Sequence, residues 1–160
     1  GKDAARVMAA IYAKGRDNAR APVQWDDGPN AGFTSGAPWI KLGSNYREVN
    51  ARQALADPDS VFHHYRRLIE LRKTHPVVVY GRYDLILPQH AEIYAYTRTL
   101  GHERLLVICN FERGTPLFTL PGDLHFARHE LLIANYPVED GEDIHTLTLR
   151  PYEARVYRLR

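Results

Sequence analysis

At His75-Pro76 the spacing of apolar residues changes from helical to alternating, and no single regular element can cross that point. On the N-terminal side Val61, Phe62, Tyr65, Leu68, Ile69 and Leu71 recur near i, i+3/i+4, i+7 and i+8, with His63, Arg66, Arg67, Glu70 and Lys73 opposite them. That is the pattern of an amphipathic helix. Asp57-Pro58-Asp59-Ser60 reads as its start, with Asp57 as N-cap and proline in the first helical position. His75, which precedes a proline, is driven out of the α region, so the spacing predicts a helix over Pro58–Thr74. On the C-terminal side Val77–Tyr80, Arg82–Leu87, Glu92–Leu100, Arg104–Phe111, Pro116–Leu120, Glu130–Tyr136, His145–Leu149 and Ala154–Leu159 read as short strands separated by turn residues. Strands at that spacing predict an antiparallel sandwich or barrel. The unbroken apolar run Leu105-Leu106-Val107-Ile108-Cys109 suits a central strand covered on both faces. The predicted organisation is helical and loop-rich over residues 1–75 and all-β over residues 76–160.

Upstream, Lys2–Lys14 predicts a short helix with an apolar face at Ala4, Val7, Met8 and Ile11, opened by Asp3 and closed by Gly15. A helix this short is marginal alone and needs a surface to dock on. From Gly15 to Asp57 neither period is visible. Irregular stretches beyond about 12–15 residues are usually functional, and Trp25, Phe33 and Trp39 interspersed with the turn-forming stretches Asp27–Gly32 and Ser35–Pro38 predict a packed binding loop. Within it, Arg16, Asp17 and Arg20 admit two readings. The guanidiniums can clamp sugar hydroxyls or orient an acid, or an Arg–Asp pair can simply pin the loop. Trp25 and Trp39 can stack on a sugar ring, or, as tryptophans more often do, fill a core as loop anchors.

Composition removes several other classes. With 21 basic and 19 acidic side chains and no polybasic run, nothing recommends nucleic acid as a partner. No apolar run approaches the roughly 18 residues of a membrane span, and no leader-like segment is visible. The single cysteine, Cys109, sits in a strand without an activating neighbour and reads as an inert thiol, in keeping with a reducing, cytoplasmic setting. The eight histidines show no convergent zinc spacing, Asp26, Asp27 and Asn30 do not match a calcium loop, and Glu139, Asp140, Glu142 and Asp143 look like a solvated turn. No metal or cofactor is expected. A first residue of glycine suggests a piece of a longer protein.

The run from Gly15 to Asp27, GRDNARAPVQWDD, resembles a signature of the α-glucosidase branch of the α-amylase family (glycoside hydrolase family thirteen). Members commonly read RDNARTPMQWD here, so Ala21 and Val23 depart from the pattern. Ala31–Thr34, Pro38–Ile40, Glu48–Asn50, Leu68–Lys73, Val78–Gly81, Tyr83–Leu87 and Leu149–Ala154 extend the likeness along the chain, most closely toward the oligo-1,6-glucosidase subgroup. The resemblance implies the C-terminal piece of a (β/α)8 barrel, its last helix being Pro58–Thr74, followed by an all-β domain from Val77. The long loop then leaves the C-terminal face of the barrel, where active sites of that fold lie. It implies that Arg16 holds the non-reducing glucose beside the scissile bond, with Asp17 and Arg20 in support. It also implies two partners, an α-linked gluco-oligosaccharide and the remainder of the barrel. The carboxylate motifs of the family's middle strands do not occur here, so the catalytic pair is expected elsewhere and this chain is expected to be inactive alone. Trehalose-6-phosphate hydrolases, sucrose isomerases and non-catalytic relatives remain as alternatives.

Overall fold

The computed structural model describes residues 3–160, which form two compact units divided between His63 and His64. The first unit opens with α1 (Ala4–Lys14), capped by Asp3, whose carboxylate accepts from the Ala5 N–H, and closed at Gly15. No residue of α1 is buried, so its apolar stripe, with Val7, Met8 and Ile11, lies bare.

The stretch expected to lack regular structure contains one α-helix, α2 (Ala51–Ala56), besides 3-10 turns at Asp17–Arg20 and Pro29–Gly32. Its signal was a cap: the Asn50 side chain accepts from the Gln53 N–H at 3.0 Å, ahead of a run of good helix formers. The next helix, α3 (Val61–Thr74), starts three residues later than expected. The Asp57 carboxylate bonds the Asp59 N–H two residues on, and the Ser60 N–H returns to the Asp57 carbonyl, so Asp57–Ser60 is a turn rather than a cap. Nothing on α3 is buried; Val61, Tyr65, Leu68 and Ile69 are exposed. Among the described residues no helix is long and apolar enough to cross a membrane.

Val77–Tyr80, expected as a strand, is instead helix α4 (Pro76–Tyr80). Pro76 supplies a helical φ at the first position while His75 stays extended, and burying Val77 outweighs the strand preference of three consecutive valines. The remaining expected strands all form, with ends moved by two residues at most. They are β1 (Arg82–Leu85), β2 (Ile93–Leu100), β3 (Glu103–Asn110), β4 (Leu117–Thr119), β5 (His129–Ala134), β6 (Thr146–Thr148) and β7 (Ala154–Leu159). A five-stranded antiparallel sheet runs β1-β2-β3-β7-β5 and a small one pairs β4 with β6. β3 is central, and Leu105 through Ile108 are all buried, as its apolar run requires. The core fills the inner face with Ile93, Ala95, Leu106, Ile108, Tyr157 and Leu159 against Phe118, Ile144, Leu147 and Leu149. Each leucine, isoleucine or phenylalanine among them contributes roughly 1.5–3 kcal/mol of transfer free energy.

Polar groups close the ends of this core. Asn110, almost wholly buried, donates to the carbonyls of Gly114 and Arg150, both at 2.9 Å, and its side-chain oxygen accepts from the Glu112 N–H at 2.9 Å. Glu153 is fully buried beside Arg155, whose Nε donates to it at 2.9 Å; its other oxygen takes the Arg150 N–H at 2.7 Å. Arg155 also reaches Tyr157 Oη and the Glu142 carboxylate. Burial opposes the Arg155 charge, but the hydrogen bonds to Tyr157, Glu153 and Glu142 outweigh it and raise its pKa. Glu142 is thus an ion-pair partner, correcting the expectation of a solvated acidic turn.

Asn110→Ala removes the partner of the Gly114 carbonyl and of the Glu112 N–H, while the Arg150 carbonyl keeps the Glu153 N–H at 3.1 Å; an unsatisfied buried group costs about 1–3 kcal/mol. The expected loss of unfolding free energy is roughly 2–4 kcal/mol in a denaturant titration. A loss below about 0.5 kcal/mol would show that water replaces all three bonds.

Candidate functional site

Arg16 sits just before a 3-10 turn at Asp17–Arg20 that replaces any longer helix in this part of the loop. The Ala19 N–H donates to the Arg16 carbonyl at 3.1 Å, closing the turn. The side chains of Arg16, Asp17 and Arg20 are exposed, and among the described residues no ion pair joins any of them to another side chain. The pinning Arg–Asp pair is therefore not formed. Two guanidiniums and a carboxylate stand open along one short turn.

What holds this segment lies downstream. The carbonyls of Gln24 and Trp25 accept from the N–H groups of Ala51 and Arg52 at 2.8 and 3.0 Å, so the loop itself satisfies the first free donors of α2. The Gln24 amide adds a bond to the Val49 carbonyl. Arg52 then spans both carboxylates of the motif, with Nη2 to Asp26 at 2.9 Å and Nη1 to Asp27 at 2.7 Å. No local pattern marks Arg52, because its partners lie 25 and 26 positions away. With both acids engaged by a guanidinium and the Asn30 amide donating to the Thr34 and Gly36 carbonyls, this part of the loop is built as a clasp, not as a cation cage.

The clasp winds around one carboxylate. The Gly28 N–H donates to Asp26 Oδ1 at 2.9 Å, and the Trp25 and Asp26 N–H groups share the carbonyl of Ala31, which is fully buried. Asn30, Ala31 and Gly32 follow one another in the left-handed region, at φ of 52°, 56° and 65°. Two non-glycine residues there in succession store backbone strain, a feature that concentrates at functional loops. At Gly32 a Cβ would stand 2.7 Å from the Asp26 carboxylate, so only glycine closes the winding.

Trp25 and Trp39 do not fill a core within this chain: their side chains are 54% and 92% exposed. The loop is ordered by hydrogen bonds and the Arg52 bridge, leaving its aromatic side chains on the outside. Cys109, by contrast, is half-buried in β3, and burial pushes its thiol pKa up, which keeps it protonated and unreactive.

Residues 1–81 match the family "Alpha amylase, catalytic domain", and residues 83–156 match "Maltogenic Amylase, C-terminal domain". The chain is similar to the oligo-1,6-glucosidase of Parageobacillus thermoglucosidasius, with 56% identity over 160 residues, all of this chain and 28% of that protein. Among solved structures it superposes on the trehalose-6-phosphate hydrolase of Bacillus licheniformis with a TM-score of 0.89 and 45% identity, over 99% of this chain and 29% of that one. It superposes on the trehalulose synthase of Pseudomonas mesoacidophila MX-45 with a TM-score of 0.89 and 41% identity, over 100% and 29%. The chain thus spans a little over a quarter of the length of these relatives.

Gly32→Ala is expected to open the clasp, since the added methyl meets both the Asp26 carboxylate and an unfavourable φ. The expected signature is faster amide exchange at Trp25, Asp26 and Gly28, at a local cost of about 1–3 kcal/mol. Unchanged exchange at those three amides would show that the winding does not depend on Gly32.

Proposed function

The chain belongs to the α-amylase family, and from that premise we propose that it is the C-terminal part of a retaining, exo-acting α-glucosidase. The reaction is hydrolysis of terminal α-1,6-linked glucose from short oligosaccharides. The observation that carries this reading is the 56% identity to an oligo-1,6-glucosidase along the whole chain. In this reading residues 1–75 complete the catalytic (β/α)8 barrel and residues 76–160 form the β domain. The enzyme's partners are an α-linked gluco-oligosaccharide and, for this segment, the remainder of the barrel. A cytoplasmic location fits the single, half-buried thiol.

Arg16 is the residue assigned to substrate. A guanidinium offers a rigid fork of donors that two neighbouring sugar hydroxyls can share, and the Arg16 side chain stands exposed with no carboxylate competing for it among the described residues. Asp17 and Arg20 support it, one able to accept from a hydroxyl and the other to add a second cation. The bond-breaking chemistry belongs to two carboxyl groups about 5–5.5 Å apart, one attacking the anomeric carbon and one protonating the leaving oxygen. We assign both to barrel strands outside these residues. The loop then contributes binding energy that orients the terminal glucose for attack.

A second reading, trehalose-6-phosphate hydrolase or sucrose isomerase, is favoured by the superposition on structures bearing the names trehalose-6-phosphate hydrolase and trehalulose synthase. Both readings use the same subsite for the non-reducing glucose, so substrate choice separates them. The full-length enzyme is expected to hydrolyse isomaltose in preference to trehalose 6-phosphate, and not to isomerise sucrose. Arg16→Ala is expected to lower kcat/KM for isomaltose by about 10²-fold, near 2.7 kcal/mol, with Arg16→Lys recovering only part of it. Hydrolysis by the 160 residues alone would overturn the placement of the carboxylates, and a preference for trehalose 6-phosphate would select the second reading.

A further inference from the structure

At one end of the inner face of the five-stranded sheet the core gives way to polar groups. Register places Arg82, Thr99, Arg104 and Leu159 in one row across β1, β2, β3 and β7, with Asp84, Thr97, Leu106 and Tyr157 in the row beside it. Leu106, Tyr157 and Leu159 belong to the core, so both rows turn polar toward β1. Facing them is the stretch Pro121–Phe126. The Leu124 N–H closes a turn onto the Pro121 carbonyl at 3.0 Å, and Leu124 and Phe126 pack on the core. Between this wall and the sheet lie two cavities of about 390 and 260 Å³, which share Thr99 and Arg104 and so form one groove.

The two halves differ in chemistry. The smaller is lined by Arg104, Arg160, His102 and His125 and by no carboxylate. The larger adds Arg82, Asp84, Asp123 and Thr97. Arg104 stands at the junction, half-buried, and among the described residues no carboxylate pairs with it. The nearby acids are committed elsewhere: Asp84 accepts from Arg82 at 3.0 Å, and Glu130 accepts from Arg158 at 2.5 Å and lies 3.8 Å from Arg160. A guanidinium taken partly out of water without a counter-ion loses hydration that an anion would replace.

The backbone fixes these groups in place. Thr99 and Arg104 face each other across the β2–β3 ladder, where paired Cα atoms are about 4.5–5.5 Å apart, so the hydroxyl and the guanidinium can meet one ligand. On the other side of the smaller cavity the Arg160 carbonyl accepts from the Ala127 and Arg128 N–H groups at 2.6 and 2.9 Å. The Arg160 N–H donates in turn to the Arg128 carbonyl at 2.8 Å.

We propose that this groove binds a sugar monophosphate. The phosphate occupies the smaller half on Arg104, Arg160 and Thr99, and the sugar hydroxyls occupy the larger half against Asp84, Asp123 and Thr97. The division of charge carries the assignment. A phosphate monoester bears about −1.5 to −2 charges at neutral pH and accepts paired guanidinium bonds. Even as neutral imidazoles, His102 and His125 each have an N–H to offer. Sugar hydroxyls both donate and accept, which suits a carboxylate and a guanidinium side by side. A bare anion filling the groove would face Asp84 and Asp123, and a neutral sugar would leave Arg104 without a counter-charge. Stacking is not the means of recognition, because Phe126 already lies against His145 at 5.2 Å and meets His129 edge-on at 5.8 Å.

All of these residues belong to the second unit and Arg16 to the first, so the site goes beyond the glucosidase reading and does not depend on it. Calorimetric titration of the full-length enzyme with glucose 6-phosphate tests it. Binding is expected to weaken at least roughly tenfold in Arg104→Ala and to stay within about threefold of wild type in Arg16→Ala. Inorganic phosphate is expected to bind roughly tenfold more weakly than glucose 6-phosphate, and glucose more weakly still. Asp123→Ala is expected to weaken glucose 6-phosphate about threefold or more without weakening inorganic phosphate. Asp123 is exposed, so this variant decides the matter even where Arg104→Ala fails to fold. No heat up to about 10 mM glucose 6-phosphate, or binding retained in Arg104→Ala, would overturn the site. Loss in Arg16→Ala instead would place the ligand in the substrate loop. Equal affinity for inorganic phosphate, unaltered by Asp123→Ala, would remove the sugar half, and equal affinity for glucose the phosphate half.

Discussion

Leu105, Leu106, Val107 and Ile108 place apolar side chains on both faces of the central strand, and each face therefore needs a cover. The inner cover is the small sheet of β4 and β6 with Phe118, Ile144 and Leu147. The outer cover starts with α4, whose Val77 is fully buried. Much else follows from this demand. Pro76–Tyr80 folds as a helix because the outer face beside Leu105 has to be roofed, and Arg98 bonds the helix carbonyls so that the roof carries no stranded polar groups. On the rest of that face Tyr83, Tyr94 and Phe111 are exposed among the described residues.

Charges inside the β unit obey a different rule. Glu153 and Arg155 are among the most buried groups in the chain, and removing two ions from water costs several kcal/mol each before any attraction is counted. Their burial is tolerable because their hydrogen bonds converge: Glu153 takes the Arg150 amide as well as Arg155, and Arg155 reaches Tyr157 and Glu142. The network joins the approach to β6, the turn before β7 and the β7 backbone. Arg52 with Asp26 and Asp27 is the opposite case, a solvent-facing bridge. Such a bridge contributes about 0–1 kcal/mol of stability. Its consequence is geometric, since it sets where a loop without regular structure can lie.

That loop joins fold to function. Gln24 and Trp25 present their carbonyls to the start of α2, Asp26 gathers the winding at Gly28 and Gly32, and the free turn at Asp17–Arg20 sits just ahead of this anchorage. The role proposed for Arg16 asks for a fixed backbone and a side chain open to sugar hydroxyls. Strain at Asn30 and Ala31 is the local cost of the first, and the absence of an ion-pair partner for Arg16 among the described residues provides the second.

Side-chain order along the chain decided most of what was legible beforehand. The alternation of β2, the unbroken apolar run of β3 and the helical stripe of α3 each follow from whether successive side chains point to the same or opposite sides, a local property that neighbours in sequence determine. The motif around Arg16 was legible for a related reason: its residues are contiguous. Tertiary structure alone decided that Val77–Tyr80 is a helix, that Trp25 and Trp39 face outward, that Glu142 serves a buried arginine, and that Arg52 holds two aspartates 25 and 26 residues away. In each case the outcome depends on burial or on a partner distant in sequence, and the free energy of such contacts exists only once the chain has brought both sides together.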